Sequence, residues 1–349
     1  MHMADALVSP AVGGALWAAT LGVAAYSVRK AKADIDDKKI PLMGVMAAFV
    51  FAAQMINFSI PGTGSSGHLG GGLLLAAILG PYAGFLAMSS VLAIQALFFA
   101  DGGLLAYGCN VFNLGFFTCF IAYPLIYKKM TGNDSSKARS FAAAMIAAVA
   151  GLQMGAFGVV LETLLSGKTE LPFGAFVALM QPIHLAIGIV EGFVTAAVIA
   201  YVRKVSPRLL DGYGTPAEPA AAPGRRKAIG GLAIAALAIG IGLSWFASAN
   251  PDGLEWSMER TSGSPELEAT GRAYETAATI QAATAFLPDY GFKASGPEES
   301  APAWPAVDAG TSLSGILGGA MALGLSALAG FAAFRLRRRT ARRARSGEA

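Results

Sequence analysis

The chain has 349 residues and a formal net charge of +4, and 54% of its residues are hydrophobic while only 14% are charged. A soluble globular domain has roughly 25% charged residues. Together with a mean hydropathy of +0.54, this composition excludes an ordinary soluble enzyme and predicts a multispanning membrane protein in contact with the lipid bilayer. The basic residues lie at the ends of apolar runs, so membrane topology explains them and we expect no nucleic-acid partner.

Nine apolar runs follow one another along the chain, and most approach the length of about 17–25 residues that a helix needs to cross a bilayer. Seven of them precede residue 205, at 11–28, 41–58, 69–80, 82–100, 104–127, 140–165 and 175–202. Two more follow, at 228–248 and 313–334. The run 69–80 is short for a complete crossing. We therefore predict an all-α polytopic membrane protein, a seven-span helical bundle plus a two-span C-terminal hairpin.

Composition divides the chain into two membrane domains joined by a linker. Residues 205–227 are rich in Pro and Ala and end in Arg225-Arg226-Lys227, which is typical of a flexible connection. We predict a first membrane domain over 1–204, a cytoplasmic linker over 205–227 and a second domain over 228–349. The second domain carries a polar region, 250–312, between its two spans.

The distribution of Lys and Arg predicts the orientation of these spans. If the N-terminus lies outside, 22 of the 26 Lys and Arg residues fall in cytoplasmic segments. Cytoplasmic loops are the ones enriched in these residues, so we predict an external N-terminus in a multi-pass protein of the plasma (cell inner) membrane. The amino end, the loop 59–68 and the region 250–312 then share the external side.

The first two residues, Met1 and His2, offer nitrogen ligands in a chelating arrangement. A free α-amine, the His2 backbone nitrogen and the His2 imidazole can close fused rings around one metal ion and need only a fourth ligand from elsewhere. His2 is too bulky for ordinary removal of the initiator methionine, so we expect Met1 to be retained. Nitrogen-rich square-planar or tetragonal sites favour Ni²⁺ or Cu²⁺, with Co²⁺ also possible. A motif this short also occurs by chance.

His68 is the nearest candidate for the fourth ligand. It ends the glycine-rich segment 62–68 and precedes the short run 69–80, so we expect it to lie some way below the membrane surface. Irregular backbone at that depth is tolerated only when it is buried in protein or lines a polar cavity. The glycines allow the backbone to fold around something small, but they also suit a tight loop with close helix packing.

Three further polar residues lie within or at the end of the apolar runs. His184 and Glu191 are seven positions apart, which places them on one helix face about two turns from each other. Ionisable groups in a span are costly and often functional, so this pair could support a metal ligand or line an access path, or it could fix interhelical packing. Asn57 could likewise orient a histidine or make an interhelical hydrogen bond.

Several segments resemble the signatures of a known family. Residues 1–10, Met-His-Met-Ala-Asp-Ala-Leu-Val-Ser-Pro, resemble the opening of the CbiM/NikM family, the substrate-capture (S) components of cobalt/nickel energy-coupling factor transporters. Residues 64–72 resemble its second signature and residues 98–103 its third, and the resemblance covers roughly 1–204. Residues 250–255, Asn-Pro-Asp-Gly-Leu-Glu, resemble the PDGLE/CbiN-like small component that is fused to such proteins.

The resemblance implies a function and a ligand set. The metal would be held by the Met1 amine, the His2 backbone and imidazole nitrogens and the His68 imidazole, and the transported ligand would be Co²⁺ or Ni²⁺, cobalt being the metal of cobalamin biosynthesis. The chain would be a transport component and not an enzyme. Its partners would be a CbiQ/NikQ-like coupling membrane protein and a CbiO/NikO-like cytoplasmic ATPase. The chain has no Gly-x-x-x-x-Gly-Lys-Ser/Thr segment of its own.

The resemblance also implies that the small component assists metal loading, and we expect its polar region to contact the first domain and open the site. Two alternative functions remain open. A capture component for a different substrate, such as a vitamin, predicts no loss of binding when His2 is changed. A membrane metalloenzyme needs three protein ligands, an open position and a general base, but the chain has no His-Glu-x-x-His segment.

Overall fold

The computed structural model describes residues 2–31, 39–132, 136–210, 223–293 and 304–346. Met1 and residues 211–222, which form most of the predicted linker, lie outside the described residues. The described part is mainly helical, and its helices follow the predicted apolar runs. The prediction of a helical polytopic membrane protein is therefore confirmed in outline.

In the described residues, the first domain contains eight α-helical segments in chain order. They are α1 (Pro10–Ala31), α2 (Lys39–Gln54), α3 (Gly72–Leu79), α4 (Pro81–Phe98), α5 (Tyr107–Val111), α6 (Lys128–Thr131), α7 (Lys137–Leu165) and α8 (Phe173–Val205). A π-helical stretch, Phe112–Tyr127, joins α5 to α6, so that one continuous helix covers Tyr107–Thr131. The second domain contributes α9 (Pro223–Ile241), α10 (Gly253–Ser262), α11 (Arg272–Thr284) and α12 (Ala309–Ser346).

Six helices in the described residues are long and apolar enough to cross a membrane. They are Pro10–Ala31, Pro81–Phe98, Tyr107–Thr131, Lys137–Leu165, Phe173–Val205 and Ala309–Arg338. α2 is a shorter apolar helix of 16 residues. α3 has only 8 residues, which is about 12 Å of helix against a hydrocarbon core of about 30 Å. The run 69–80 is therefore short of a crossing, as its length in the sequence indicates.

The chain also forms a small β-hairpin, which the all-α prediction missed. β1 (Phe58–Ile60) pairs antiparallel with β2 (Ser65–Gly67). The hairpin gains a partner from far along the chain, because the Ser66 amide donates a hydrogen bond to the Pro251 carbonyl at 2.8 Å. This long-range contact with the second domain supports a strand conformation that the local sequence pattern does not predict.

Helices pack closely where a glycine faces a neighbouring helix. A Cβ atom at Gly188 of α8 would lie 3.0 Å from the Val149 Cα of α7. Likewise, a Cβ at Gly240 of α9 would lie 3.1 Å from the Gly315 Cα of α12. Small residues of this kind let helix backbones approach within a membrane. α9 and α12 also pack against α2, so the second domain is built onto the first.

Loops of both domains meet at one end of the bundle, which we call the site end. The Asp5 carboxylate accepts a hydrogen bond from the Ala106 amide at 2.9 Å, which joins the amino-terminal turn to the segment after α4. Gln281 of α11 donates to the Gly102 carbonyl of that segment at 2.8 Å. The β-hairpin joins the second domain at the same end, through Ser66 and Pro251.

Candidate metal centre

The residues that follow His2 are fixed tightly to the bundle. Met3 is fully buried. The Asn110 side chain accepts a hydrogen bond from the Met3 amide at 2.7 Å and donates one to the Met3 carbonyl at 3.1 Å. The Gly103 amide also donates to the Met3 carbonyl, at 2.9 Å. These contacts hold His2 at the site end.

Asp101 lies on a tight turn, and its carboxylate contacts the His2 ring. Ala100 and Gly102 on either side have φ angles of +56° and +83°, a left-handed conformation that favours glycine and is unusual for alanine. His2 Nδ1 lies 3.0 Å from Asp101 Oδ1, and the Tyr290 hydroxyl of the second domain donates to Asp101 Oδ2. Burial alone would raise the pKa of Asp101, but attraction to His2 and the hydrogen bonds from His2 and Tyr290 outweigh burial and hold that pKa below its usual range.

The His68 ring stacks on the His2 ring, with centroids 4.8 Å apart and planes 3° from parallel. His68 Nδ1 lies 3.1 Å from the Leu69 carbonyl oxygen. Because a carbonyl only accepts, Nδ1 carries the proton and Nε2 carries the lone pair. An imidazole in this tautomer is neutral, and the neutral imidazole is the form that binds metals.

Glu191 holds the glycine-rich loop that carries His68. Its carboxylate accepts hydrogen bonds from the Gly70 amide at 2.8 Å and from the Gly71 amide at 3.1 Å. Gln54 of α2 donates to the Gly70 carbonyl at 2.8 Å. Gly71 has a φ angle of +78°, and a Cβ there would lie 2.5 Å from Val50 Cγ1. Glu191 therefore positions the loop, and its partners are backbone amides.

The other two candidates from the sequence lie in different places: His184 is beside the centre, and Asn57 is at the junction with the second domain. His184 of α8 is buried, with Nδ1 2.8 Å from the Met180 carbonyl oxygen, and it lines a small cavity together with His68. Asn57 precedes β1, and its carbonyl accepts a hydrogen bond from the Ser248 amide at 2.7 Å. Asn57 thus contributes to the junction with the second domain.

The second domain supplies a residue that the sequence analysis did not select. Asp252 Oδ2 lies 3.8 Å from His68 Nε2, while Asp252 Oδ1 accepts hydrogen bonds from the Leu254 and Glu255 amides and so caps α10. The signal was present in the motif at 250–255, but only the fold brings Asp252 beside His68. Tyr290 of the same domain reaches Asp101, so the second domain contacts the site on both sides.

The arrangement limits how a metal could bind. Within the described residues, no three His, Cys, Asp or Glu side chains are grouped to hold a metal ion by themselves. A centre at His2 and His68 therefore requires backbone or amino-terminal nitrogens as well. The two imidazoles are parallel, so their in-plane lone pairs do not converge, and at least one ring must turn before both can bind one ion.

The two nitrogens of His2 offer different chemistry. Only Nδ1 lies near enough to the His2 backbone nitrogen to close a chelate ring, and Nδ1 faces Asp101 here. Nε2 is buried and has no hydrogen-bond partner among the described residues. A chelate through Nδ1 thus requires that nitrogen to lose its proton and leave Asp101, whereas Nε2 is unpartnered but cannot close the ring.

These features define a polytopic membrane protein with a compact site of histidines and carboxylates at one end of its helical bundle. Residues 2–209 match the protein family described as cobalt uptake substrate-specific transmembrane region, and residues 226–335 match the PDGLE domain. The chain belongs to this cobalt uptake family, CbiM, with a PDGLE domain fused behind it.

Named relatives agree with this assignment. The chain is 37% identical over 210 residues to a Haloquadratum walsbyi protein named as a metal transport protein, a match that covers 60% of this chain and 93% of the relative. It is also 37% identical over 246 residues to an Archaeoglobus fulgidus protein named as a fused nickel transport protein NikMN, covering 70% and 75%. A crystal structure of a transition metal transporter is similar with a TM-score of 0.52 and 31% identity, covering 59% of this chain and 93% of that one.

The resemblance to CbiM/NikM proteins fused to a small component is thereby confirmed. The chain is a multi-pass membrane protein of a cobalt/nickel transport family, and it is a transport component and not an enzyme. The boundaries 1–204, 205–227 and 228–349 and the ligand set Met1, His2 and His68 stay predictions.

Proposed function

We propose that this chain captures Co²⁺ or Ni²⁺ as the membrane substrate-binding component of an energy-coupling factor ABC transporter. The observation that carries the proposal is the pairing of His2 with His68. Two of the three histidines in the chain, from segments far apart in sequence, stack at the site end. Both rings have a carboxylate beside them, Asp101 for His2 and Asp252 for His68.

The proposed ligands are the Met1 amine, the His2 backbone nitrogen and Nδ1, and His68 Nε2. In this set His2 exchanges its contact with Asp101 for the metal, and His68 turns from the stacked position to complete the coordination. Four nitrogens suit Ni²⁺, and the match to a cobalt uptake family supports Co²⁺ equally. Because binding displaces protons from the ligands, we expect affinity to fall as the pH is lowered.

We infer that the protein crosses the membrane nine times, with seven spans, a cytoplasmic linker and two further spans, and that its N-terminus lies outside. The loops that meet at the site end are the ones that this topology places outside. α3 and the irregular segment before it would together form the third crossing. With this crossing counted, the later segments rich in Lys and Arg fall on the cytoplasmic side. The expected location is the plasma (inner) membrane.

Energy for transport would come from partners. The chain has no phosphate-binding Gly-x-x-x-x-Gly-Lys-Ser/Thr segment, so a coupling membrane protein of the CbiQ/NikQ type and a cytoplasmic ATPase of the CbiO/NikO type are the proposed partners. In this proposal the titratable residues at the centre bind the metal or position the loop, and none of them is given a role in hydrolysis.

The test compares Ni²⁺ and Co²⁺ affinity for the purified full chain with its native start and with one extra residue before Met1. We expect the extension to abolish tight binding, because it removes the free amine and displaces the chelating nitrogens. A protease that removes the extension supplies the matched control and should restore binding. Equal affinity of the two forms would exclude the amino end from the site and overturn the proposed ligand set.

A further inference from the structure

The turn that carries Asp101 lies between the amino-terminal residues and α11. On one side, the Gly103 amide donates a hydrogen bond to the Met3 carbonyl at 2.9 Å. The turn also lies directly against His2, because a Cβ added at Gly102 would be 3.4 Å from the His2 Cβ. On the other side, the turn accepts hydrogen bonds from the second domain. The turn therefore connects the second domain to the residues of the candidate centre.

Gln281 of α11 supplies two hydrogen bonds at this contact. Its side-chain nitrogen Nε2 donates to the Ala96 carbonyl and to the Gly102 carbonyl, both at 2.8 Å. The Ala96 carbonyl belongs to the last turn of α4, where the carbonyl groups have no partner within their own helix. The Gly102 carbonyl lies beyond the end of that helix. One side-chain amide thus joins the end of α4 to the far side of the turn.

The turn has a strained backbone between these two points. Ala100 has a φ angle of +56°, which is unfavourable for a residue with a Cβ, and such a conformation persists only where surrounding contacts hold it. The second domain provides a further contact next to Ala100, because the Asp289 amide donates to the Phe99 carbonyl at 2.8 Å. The conformation of the turn, and with it the direction of the Asp101 carboxylate, therefore depends on the second domain.

We propose that Gln281 is a positioning residue that keeps His2 in the orientation in which its Nδ1 faces Asp101, and that it thereby restrains metal chelation. The inference rests on the proposed ligand set, because a chelate through Nδ1 requires that nitrogen to leave Asp101, which lies 3.0 Å away. Gln281 acts on His2 through the backbone of the turn. Apparent affinity falls with the fraction of molecules in the binding-competent arrangement, so a restraint on the other arrangement lowers it.

The test measures the Ni²⁺ affinity of the purified full chain by competition titration for the native protein, Gln281→Ala and Gln281→Met. Neither replacement side chain can donate a hydrogen bond, neither adds a charge near the ion, and methionine keeps a similar length. We expect both variants to bind Ni²⁺ about threefold to about tenfold more tightly, the equivalent of about one net hydrogen bond. A residue that only supports the fold would give weaker or unchanged binding, so the direction of the change separates the two roles.

Thr279→Ala is the matched control, because the exposed Thr279 hydroxyl donates to the Glu275 carbonyl of its own helix, and its affinity should be native. In an Asp101→Ala background the Gln281 substitutions should change affinity less than about twofold, because the contact that they release is already absent. The inference is overturned if either Gln281 variant binds Ni²⁺ with native or lower affinity, or if the full gain persists with Asp101→Ala. Failure of the proposed function is a separate result, in which the chain extended before Met1 binds as tightly as the native chain.

Discussion

Glu191 gives the sharpest test of how the glycine-rich loop is held. In Glu191→Ala, the Gly70 and Gly71 amides both lose the acceptor that lies at 2.8 and 3.1 Å. A buried donor left unsatisfied costs about 1–3 kcal/mol, so the expected cost for two is about 2–6 kcal/mol. In Glu191→Gln one carbonyl oxygen remains and one donor faces an amide NH₂, so the expected cost is about 1–3 kcal/mol.

These costs translate into metal affinity because His68 lies on the same loop. If the full cost of Glu191→Gln falls on the loop conformation that binds metal, affinity falls by about 5-fold to about 140-fold, since about 1.4 kcal/mol corresponds to a factor of ten. If the loop keeps its metal-binding conformation without both hydrogen bonds, only part of this free-energy cost reaches metal binding. The range is therefore an upper limit on the loss of affinity. Ni²⁺ competition titration of the purified chain, together with its thermal unfolding midpoint, measures both effects.

Gln153→Ala is the matched control for this experiment. The Gln153 side chain donates to the Gln181 carbonyl at 2.8 Å between α7 and α8 and not to the loop, so its loss should lower stability but leave Ni²⁺ affinity intact. Native affinity in Glu191→Ala would contradict the positioning role that we assign to Glu191.

Two further predictions concern the residues around the centre. Tyr290→Phe should lower the free energy of unfolding by about 1.5–3 kcal/mol, the range for hydrogen bonds to charged groups, because Asp101 loses its hydroxyl donor while the ring can still stack on Phe99. Tyr201→Phe, which removes an exposed hydrogen bond to the Lys227 carbonyl, should have a much smaller effect in the same denaturation assay, and equal effects would refute the argument. Gly71→Ala should be more destabilising than Gly64→Ala in thermal unfolding, because both residues have positive φ but only Gly71 has Val50 in the space of the new Cβ. Equal losses of thermal stability in the two variants would show that backbone strain, and not contact with Val50, determines the destabilisation.

The helices were the predictable part of this fold, because each needs only a local apolar run of sufficient length. The runs 82–100 and 175–202 correspond to α4 (Pro81–Phe98) and α8 (Phe173–Val205) within a few residues. The β-hairpin was missed because its third partner, the segment ending at Pro251, is about 185 positions away from Ser66. Local periodicity carries no information about such a contact.

The candidate site was predictable only in part, for a similar reason. His2 and His68 could be selected from residue type and resemblance, and the structure brings their rings together. The sequence analysis did not select Asp101, which lies on a turn that directs its carboxylate to His2. His184 and Glu191 share a helix face, yet one faces a cavity and the other binds backbone amides, because the neighbours of each side chain come from other helices.

The fused second domain is part of the site's structure, and this bears on how the site can open. Tyr290 contacts the carboxylate that holds His2, and Asp252 lies beside the ring of His68. At least one of the two histidines must move before they can share one ion, since their rings are parallel, and a chelate through His2 Nδ1 requires that ring to leave Asp101. Each of these movements breaks or loosens a contact that involves the second domain. A shift of that domain would therefore act on both proposed imidazole ligands at once, which gives a physical reason for a fused small component to control metal loading.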